Sequence, residues 1–322
     1  MDMFTAYSLI RELKTNVRRA FVGREETMDL LVVALLAEGH VLLEDVPGIG
    51  KTTLAKALAE SLDCSFQRIQ FTPDLMPSDV TGLNYFNQKL GEFQFRPGPV
   101  MAHIVLADEI NRATPRTQSS LLEAMGERQV TVDGVTRELP RPFMVLATQN
   151  PIEMEGTYPL PEAQLDRFML RISLGYPERD LEMGIVQRFG TLDPLSDLAP
   201  VLSPEQVLGL QGAAKTVRVT DVVLGYLVDV VRATRTHSSS RLGASPRATL
   251  AMYRCAQAHA LTQGRDFVVP DDIKRLAGPV FAHRLLLKTQ SRLAGGNAER
   301  LVGEALDCTP VPVEDLAGMP VR

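Results

Sequence analysis

A lysine and a threonine that directly follow closely spaced glycines are the residue types that hold polyphosphates. This chain carries them in Pro47-Gly48-Ile49-Gly50-Lys51-Thr52, with Thr53 next. Glycines let successive backbone N–H groups turn towards one anion, and a helix beginning at Lys51 brings the positive end of its dipole to the same place. In such a loop the lysine reaches the β- and γ-phosphates and the threonine hydroxyl ligates magnesium. Downstream, an apolar run over 104–107 ends in two carboxylates, Asp108 and Glu109. A hard magnesium ion wants oxygen ligands and keeps several waters, so one carboxylate at a strand end suffices. Asp108 takes that role beside Thr52, and Glu109 polarises a water for attack on the γ-phosphate, as a general base would. Alone, an Asp-Glu pair is a common solvated strand end; its pairing with an upstream phosphate loop gives it this chemistry. The cofactors expected are ATP and Mg2+, and the enzyme an Mg-dependent ATPase. One position departs from the usual motif: Asp45 stands where the first glycine is expected.

Such a loop needs a strand before it and a helix after it, and the first half of the chain supplies both. Short apolar strands are predicted at 41–43, 66–71, 103–107, 143–147 and 168–174, alternating with helical stretches, the pattern of an α/β sheet covered on both faces. Leu54, Leu58 and Leu62 recur at i, i+4 and i+8, predicting a helix over 51–62. After Tyr176-Pro177 the character changes. Residues 178–190 and 203–322 carry helical periodicity and no clear strand. Ser203-Pro204-Glu205-Gln206 is a capping-box helix start, and Ser245-Pro246 opens another. Residues 191–202 read as a linker and 237–245 as a loop rich in Ser and Gly. The organisation expected is an α/β nucleotide-binding core at 1–176, with a parallel five-stranded sheet, followed by a smaller all-α lid domain at 177–322.

Composition narrows the choice. The chain has 322 residues and a net charge of −5, with six Tyr and no Trp, which disfavours a nucleic-acid platform. Cys64, Cys255 and Cys308 have no paired spacing and read as small buried hydrophobes in a reducing compartment. The five histidines are scattered, with no i, i+4 pair to suggest a metal. Neither a signal peptide nor a membrane span is legible. A cytoplasmic location is therefore expected, with no direct membrane anchor.

Taken together with further segments, these residues resemble the MoxR family of AAA+ ATPases. The segments are Val22-Gly23-Arg24-Glu25-Glu26, the phosphate loop, Gly98-Pro99-Val100 running into Asp108-Glu109-Ile110-Asn111-Arg112-Ala113, Ala147-Thr148-Gln149-Asn150-Pro151, Leu165-Asp166-Arg167-Phe168 and Ser245-Pro246-Arg247. The resemblance implies an AAA+ P-loop core with a helical lid and assigns roles. Val22 and Gly23 resemble the segment beside adenine. Asn150 resembles the sensor-1 residue that orients the attacking water. Arg167 resembles the arginine finger that enters a neighbour's site, and Arg247 the sensor-2 arginine that contacts the γ-phosphate. Plainer readings are an ion pair of Arg167 with Asp166 or Glu162, a solvated first-turn arginine at 247 and a turn residue at 150. Residues 78–99 and 129–139 resemble two insertions of the family's clade, the second a hairpin turning at Asp133-Gly134.

The resemblance further implies self-assembly into a ring oligomer, with a hexamer the expected size. It also implies a separately encoded von Willebrand factor A domain partner and a protein client remodelled in a chaperone-like way. A nucleic-acid-remodelling motor is the alternative, and a non-hydrolysing scaffold a third reading.

Overall fold

The computed structural model describes residues 1–45, 48–150, 156–190 and 193–312. Pro47 lies outside the described residues. In chain order the helices are α1 (Met3–Ala20), α2 (Glu25–Leu36), α3 (Lys51–Ser61), α4 (Pro77–Thr81), α5 (Pro115–Glu127), α6 (Glu162–Leu165), α7 (Arg179–Phe189), α8 (Pro204–Thr216), α9 (Asp221–Thr236), α10 (Pro246–Thr262), α11 (Pro270–Phe281), α12 (Thr289–Leu293) and α13 (Ala298–Asp307). The strands are β1 (Val41–Glu44), β2 (Phe66–Gln70), β3 (Gly82–Asn87), β4 (Glu92–Pro97), β5 (Ile104–Asp108), β6 (Gln129–Val132), β7 (Val135–Glu138), β8 (Met144–Gln149), β9 (Leu170–Ile172), β10 (Ser240–Leu242) and β11 (Leu286–Leu287).

Five strands form one parallel sheet in the order β2-β5-β8-β1-β9. Because side chains alternate faces along a strand, the apolar runs feed two cores. Val41, Leu43, Ile104, Leu106, Met144 and Leu146 enter one; Leu42, Val105, Ala107, Val145 and Ala147 enter the other. Burial on both faces is what turns a parallel strand into an unbroken apolar run rather than an alternating one. The register places Glu44 opposite Gln149, and Gln70 opposite Asp108. The chain thus leaves β1, β5 and β8 at a common edge, the carboxyl edge where open α/β sheets bind ligands.

The first core is shared between the halves of the chain. Ile10, Leu13 and Val17 of α1 and all the apolar residues of α2 belong to it, and so do Val207 and Leu210 of α8, Met252 and Cys255 of α10, and Leu276 and Val280 of α11. Helix α2 is buried without interruption from Thr27 to Leu36, the signature of a helix packed all round rather than on one face. Gln211 of α8 donates to the Leu35 carbonyl at 2.8 Å, and Asn16 of α1 donates to the Ala199 carbonyl at 2.9 Å. Ser203 and Gln206 form the expected capping box of α8, and Ser245 caps α10. The stretch expected as a bare loop at 237–245 contributes β10, which pairs with β11, a short ribbon among the helices whose three residues were too few to show a period.

Both insertions are hairpins. β6 and β7 turn at Asp133 and Gly134, each with positive φ (49° and 78°), as a tight hairpin turn requires. β3 and β4 form the other. The turn and second strand of the 129–138 hairpin touch the base half of the other: Asn84 donates to the Asp133 carboxylate at 2.8 Å, and the Arg137 guanidinium lies 3.8 Å from the centroid of the Phe95 ring. Phe86 and Phe93, packed edge to face at 5.3 Å, sit near the far end of the first hairpin and are exposed.

Candidate nucleotide site

β1 runs out at Glu44, and the loop beyond it turns on Gly48 and Gly50, whose φ values of 87° and 88° lie in the left-handed region. A side chain is strained there, so the two glycines are requirements of the backbone. Gly50 caps α3, and Lys51, Thr52 and Thr53 form its first turn. Lys51 donates from Nζ to the Asp45 carbonyl at 3.0 Å. Burial lowers its pKa, opposed by Asp108, Asp45 and Glu109.

Asp45, the departure from the motif, has a structural role. Its buried carboxylate accepts from the Leu174 amide, from Ser173 Oγ at 2.9 Å and from the Gly175 amide at 3.2 Å. A carboxylate so supplied with donors staples the start of the phosphate loop to the segment that follows β9.

Opposite the loop, Thr148 at the end of β8 organises the two acids. Its hydroxyl donates to Asp108 Oδ1 at 2.6 Å and accepts from the Glu109 amide at 2.8 Å. Glu109 has φ 57° and ψ 49°, an uncommon conformation for a side-chain-bearing residue and one that clusters at functional sites. Its Oε2 accepts from Gln70 Nε2 at 2.8 Å and lies 3.2 Å from Arg112 Nε. Arg68 donates from Nη2 to Asp108 Oδ2 at 2.5 Å. Gly48, Gly50, Lys51, Thr52, Thr53, Arg68, Gln70, Asp108, Glu109 and Asn150 together line one cavity of about 390 Å³. Thr52 and Asp108 offer that cavity a hydroxyl and a carboxylate. These hard oxygen donors fit a magnesium ion whose other ligands are phosphate oxygens and water.

A second cavity of about 400 Å³ adjoins the first through Gly48, Gly50 and Thr53. Val22, Gly23 and Ile49 line it, with Leu174, Tyr176 and Val186 across from them. Its walls are mostly apolar, suited to a flat base. Gly23 is needed for closeness: a Cβ there would lie 2.3 Å from the Phe21 ring.

Two expected site residues stand elsewhere. Neither Arg167 nor Arg247 lines the phosphate cavity. Arg167 donates from Nη1 to the Leu122 carbonyl at 2.9 Å, on the surface of α5, where any Cβ at Gly126 would collide with it. Arg247, at the start of α10 and 62 % exposed, points Nε at Asp166 Oδ2, 3.9 Å away. In this arrangement Arg247 stands outside the phosphate cavity of its own subunit. Arg68, Gln70 and Thr148 were missed from sequence. Arg68 and Gln70 share one face of the strand at 66–71, but Gln67 between the apolar positions leaves no clean alternation to mark them, and Thr148 sits inside an otherwise apolar run.

A Gly-x-Gly-Lys-Thr loop after β1, an acid pair at the end of β5 with β8 between the two strands, and a helical second half packed on the core define an AAA+ P-loop ATPase. The family model described as "ATPase family associated with various cellular activities (AAA)" matches residues 40–170, and the "AAA lid domain" model matches 232–304. An uncharacterized Bacillus subtilis protein, YeaC, is 49% identical over 96% of both chains. The chaperone MoxR1 of Mycobacterium tuberculosis is 42% identical over 92% of this chain and 81% of its own. A crystal structure of a Cytophaga hutchinsonii protein assigned as an ATPase superposes with a TM-score of 0.91 at 37% identity, covering 97% of each chain. The chain belongs to the MoxR family of AAA+ ATPases.

Proposed function

We propose that this ATPase hydrolyses Mg-ATP at a site completed by a neighbouring subunit of a ring, and uses the cycle to remodel a protein client. The observation that carries the trans reading is the placement of Arg167 and Arg247. Both lie around Asp166 and outside the phosphate cavity of their own subunit. Guanidinium groups stabilise the charge spread over a transferring phosphoryl group, so two of them on one outer face suit a nucleotide held next door.

Within the subunit the roles divide by chemistry. Val22 and Gly23 border the base. Lys51 and the loop amides at 48–53 hold the phosphates. Thr52 and Asp108 would hold magnesium, which supplies neutralisation of the phosphate charge when bound. Glu109 takes the proton of the attacking water, and Asn150 at the end of β8 orients that water. In this structure Gln70 and Arg112 hold the Glu109 carboxylate, so hydrolysis requires it to exchange these partners for water.

The biological part of the reading rests on the family and on the surface. The Mycobacterium tuberculosis relative carries the name chaperone. The joined hairpins present aromatic residues outward, and no described helix is long and apolar enough to cross a membrane. A hexameric ring in the cytoplasm, a von Willebrand factor A domain partner and a folded protein client fit these features. The test is a pull-down with Glu109→Gln, locked with ATP, against the same protein carrying Asp133→Lys and Arg137→Glu. Protein capture that the hairpin changes weaken supports the proposal. Capture of nucleic acid without protein, or capture indifferent to the hairpin, refutes it.

A further inference from the structure

The turn that follows α11, residues 282–284, sends two side chains from the helical half into the segment that carries Arg167. Arg284 is the deeper one, with its side chain 3 % exposed. It donates from Nε to Asp166 Oδ1 at 2.7 Å, from Nη2 to the Phe168 carbonyl at 2.7 Å, and from Nη1 to the Met169 carbonyl at 3.2 Å and to the Val280 carbonyl. A longer contact runs from Nη2 to the Asp166 carbonyl at 3.4 Å. His283 adds a bond between Nε2 and the Phe168 carbonyl at 3.0 Å. The guanidinium therefore grips the backbone on both sides of Arg167. Among the described residues it is the one buried arginine, and nothing in the chemistry of the phosphate cavity uses it.

The carboxylate at the centre of the grip is shared. While Oδ1 of Asp166 takes Arg284, its Oδ2 faces Ser245 Oγ at 3.4 Å and Arg247 Nε at 3.9 Å. Ser245 is the cap of α10 and Arg247 lies in its first turn. One ion pair, its arginine buried and its carboxylate half-buried, thus bears on both outward arginines: on Arg167 through the peptide that follows Asp166, and on the exposed Arg247 through the second oxygen of the same carboxylate. A buried charge persists only when paired and fully hydrogen-bonded. The planar fork of arginine, with donors at fixed angles, can serve several carbonyls and a carboxylate at once where an ammonium cannot.

We infer that Arg284 is a positioning residue for ATP hydrolysis in the neighbouring subunit, holding Arg167 and Arg247 in place through Asp166. This rests on the reading that those two arginines act in trans. A displacement of about 1 Å in a catalytic group costs roughly 10²-fold in rate, so Arg284→Lys should lower kcat by about that factor while leaving KM for ATP nearly unchanged. A purely structural role predicts instead a loss that every site of the assembly shares.

Subunit mixing separates these outcomes. Lys51→Ala subunits hold no nucleotide but carry intact arginines, whereas Arg167→Ala subunits hold nucleotide but offer no finger. Mixed together, the two should recover ATPase activity that neither shows alone; no recovery overturns the trans reading itself. With that recovery established, Arg284→Lys subunits mixed with Lys51→Ala should also regain activity, because their own sites are sound. The double variant Lys51→Ala/Arg284→Lys should fail to rescue Arg167→Ala. Rescue by the double variant equal to that by Lys51→Ala overturns the role of Arg284, as does loss of ATP binding in Arg284→Lys. Should Arg284→Lys not assemble, Asp166→Asn keeps an acceptor for Arg284 and removes only the charge at the node. It should show the same defect as donor and not as acceptor, and equal defects in both roles overturn the proposal.

Discussion

At the scale of single residues, the site divides by how its members reach it. Lys51, Thr52, Asp108 and Glu109 take their positions from local backbone, a glycine turn into a helix and a strand end, and local backbone is what a sequence discloses. Arg68 and Gln70 arrive because β2 pairs with β5 in register, a contact between residues far apart in the chain, and nothing adjacent to them announced it. Asp45 looked like a weakness in the motif and is instead its attachment to 173–175. Asp45→Gly, which restores the commoner motif, should therefore destabilise the protein by about 1.5–3 kcal/mol, the range for a buried charge-assisted hydrogen bond. It should also weaken ATP binding, because the wall of the base cavity loses its tether. Thermal melts and nucleotide titration check both, and an unchanged melt removes the tether. Lys51→Ala should abolish tight ATP binding. Glu109→Gln should bind ATP and turn over about 10²–10⁴-fold more slowly, the range for a lost general base; single-turnover kinetics with preserved nucleotide affinity is the check, and normal turnover excludes Glu109 as the base.

At the scale of elements, His40 illustrates packing that composition conceals. Among five scattered histidines it had no distinguishing mark. In the fold its Nδ1 accepts from the Val145 amide at 3.0 Å, and Nε2 bonds the Met125 carbonyl at 3.1 Å. It thereby ties the entry to β1 to both β8 and the end of α5. Burial depresses its pKa from the ordinary 6.5 to about 4, and the buried His283 is lowered for the same reason. With a depressed folded value, the contribution is complete above pH 6.5, is lost as pH falls through that value and levels off below about 4. For His40 alone the loss reaches about 3 kcal/mol. The melting temperature should fall steeply between pH 6.5 and 4, and His40→Gln should show a shallower fall from a lower starting point; parallel slopes refute the assignment. Of the two hairpins, the one at 129–138 was legible because Asp133-Gly134 is a specific turn signal. The one at 82–97 was not, because its turn at 88–91 carries no such dipeptide and its aromatic residues have no core beneath them.

At the scale of the whole molecule, the change of character near 176 was visible because strands give way to helices. The docking of α8, α10 and α11 onto α1 and α2 was not, since each face reads only as amphipathic until its partner is known. That docking has a consequence: the helical half is held on the same core as the sheet and presents Arg247 beside Arg167, away from its own phosphate cavity. On the proposed trans reading, a subunit alone has a binding site without its outer charges. Arg167→Ala should keep ATP affinity and lose hydrolysis by about 10³-fold or more, the scale of an arginine finger supplied in trans. The most direct measurement is ATPase rate per subunit across a dilution series, with the assembly state followed on the same samples by light scattering. Rates should rise with assembly and fall to the Arg167→Ala level in the monomer. A verified monomer that hydrolyses ATP as fast as the assembled protein would contradict the shared site.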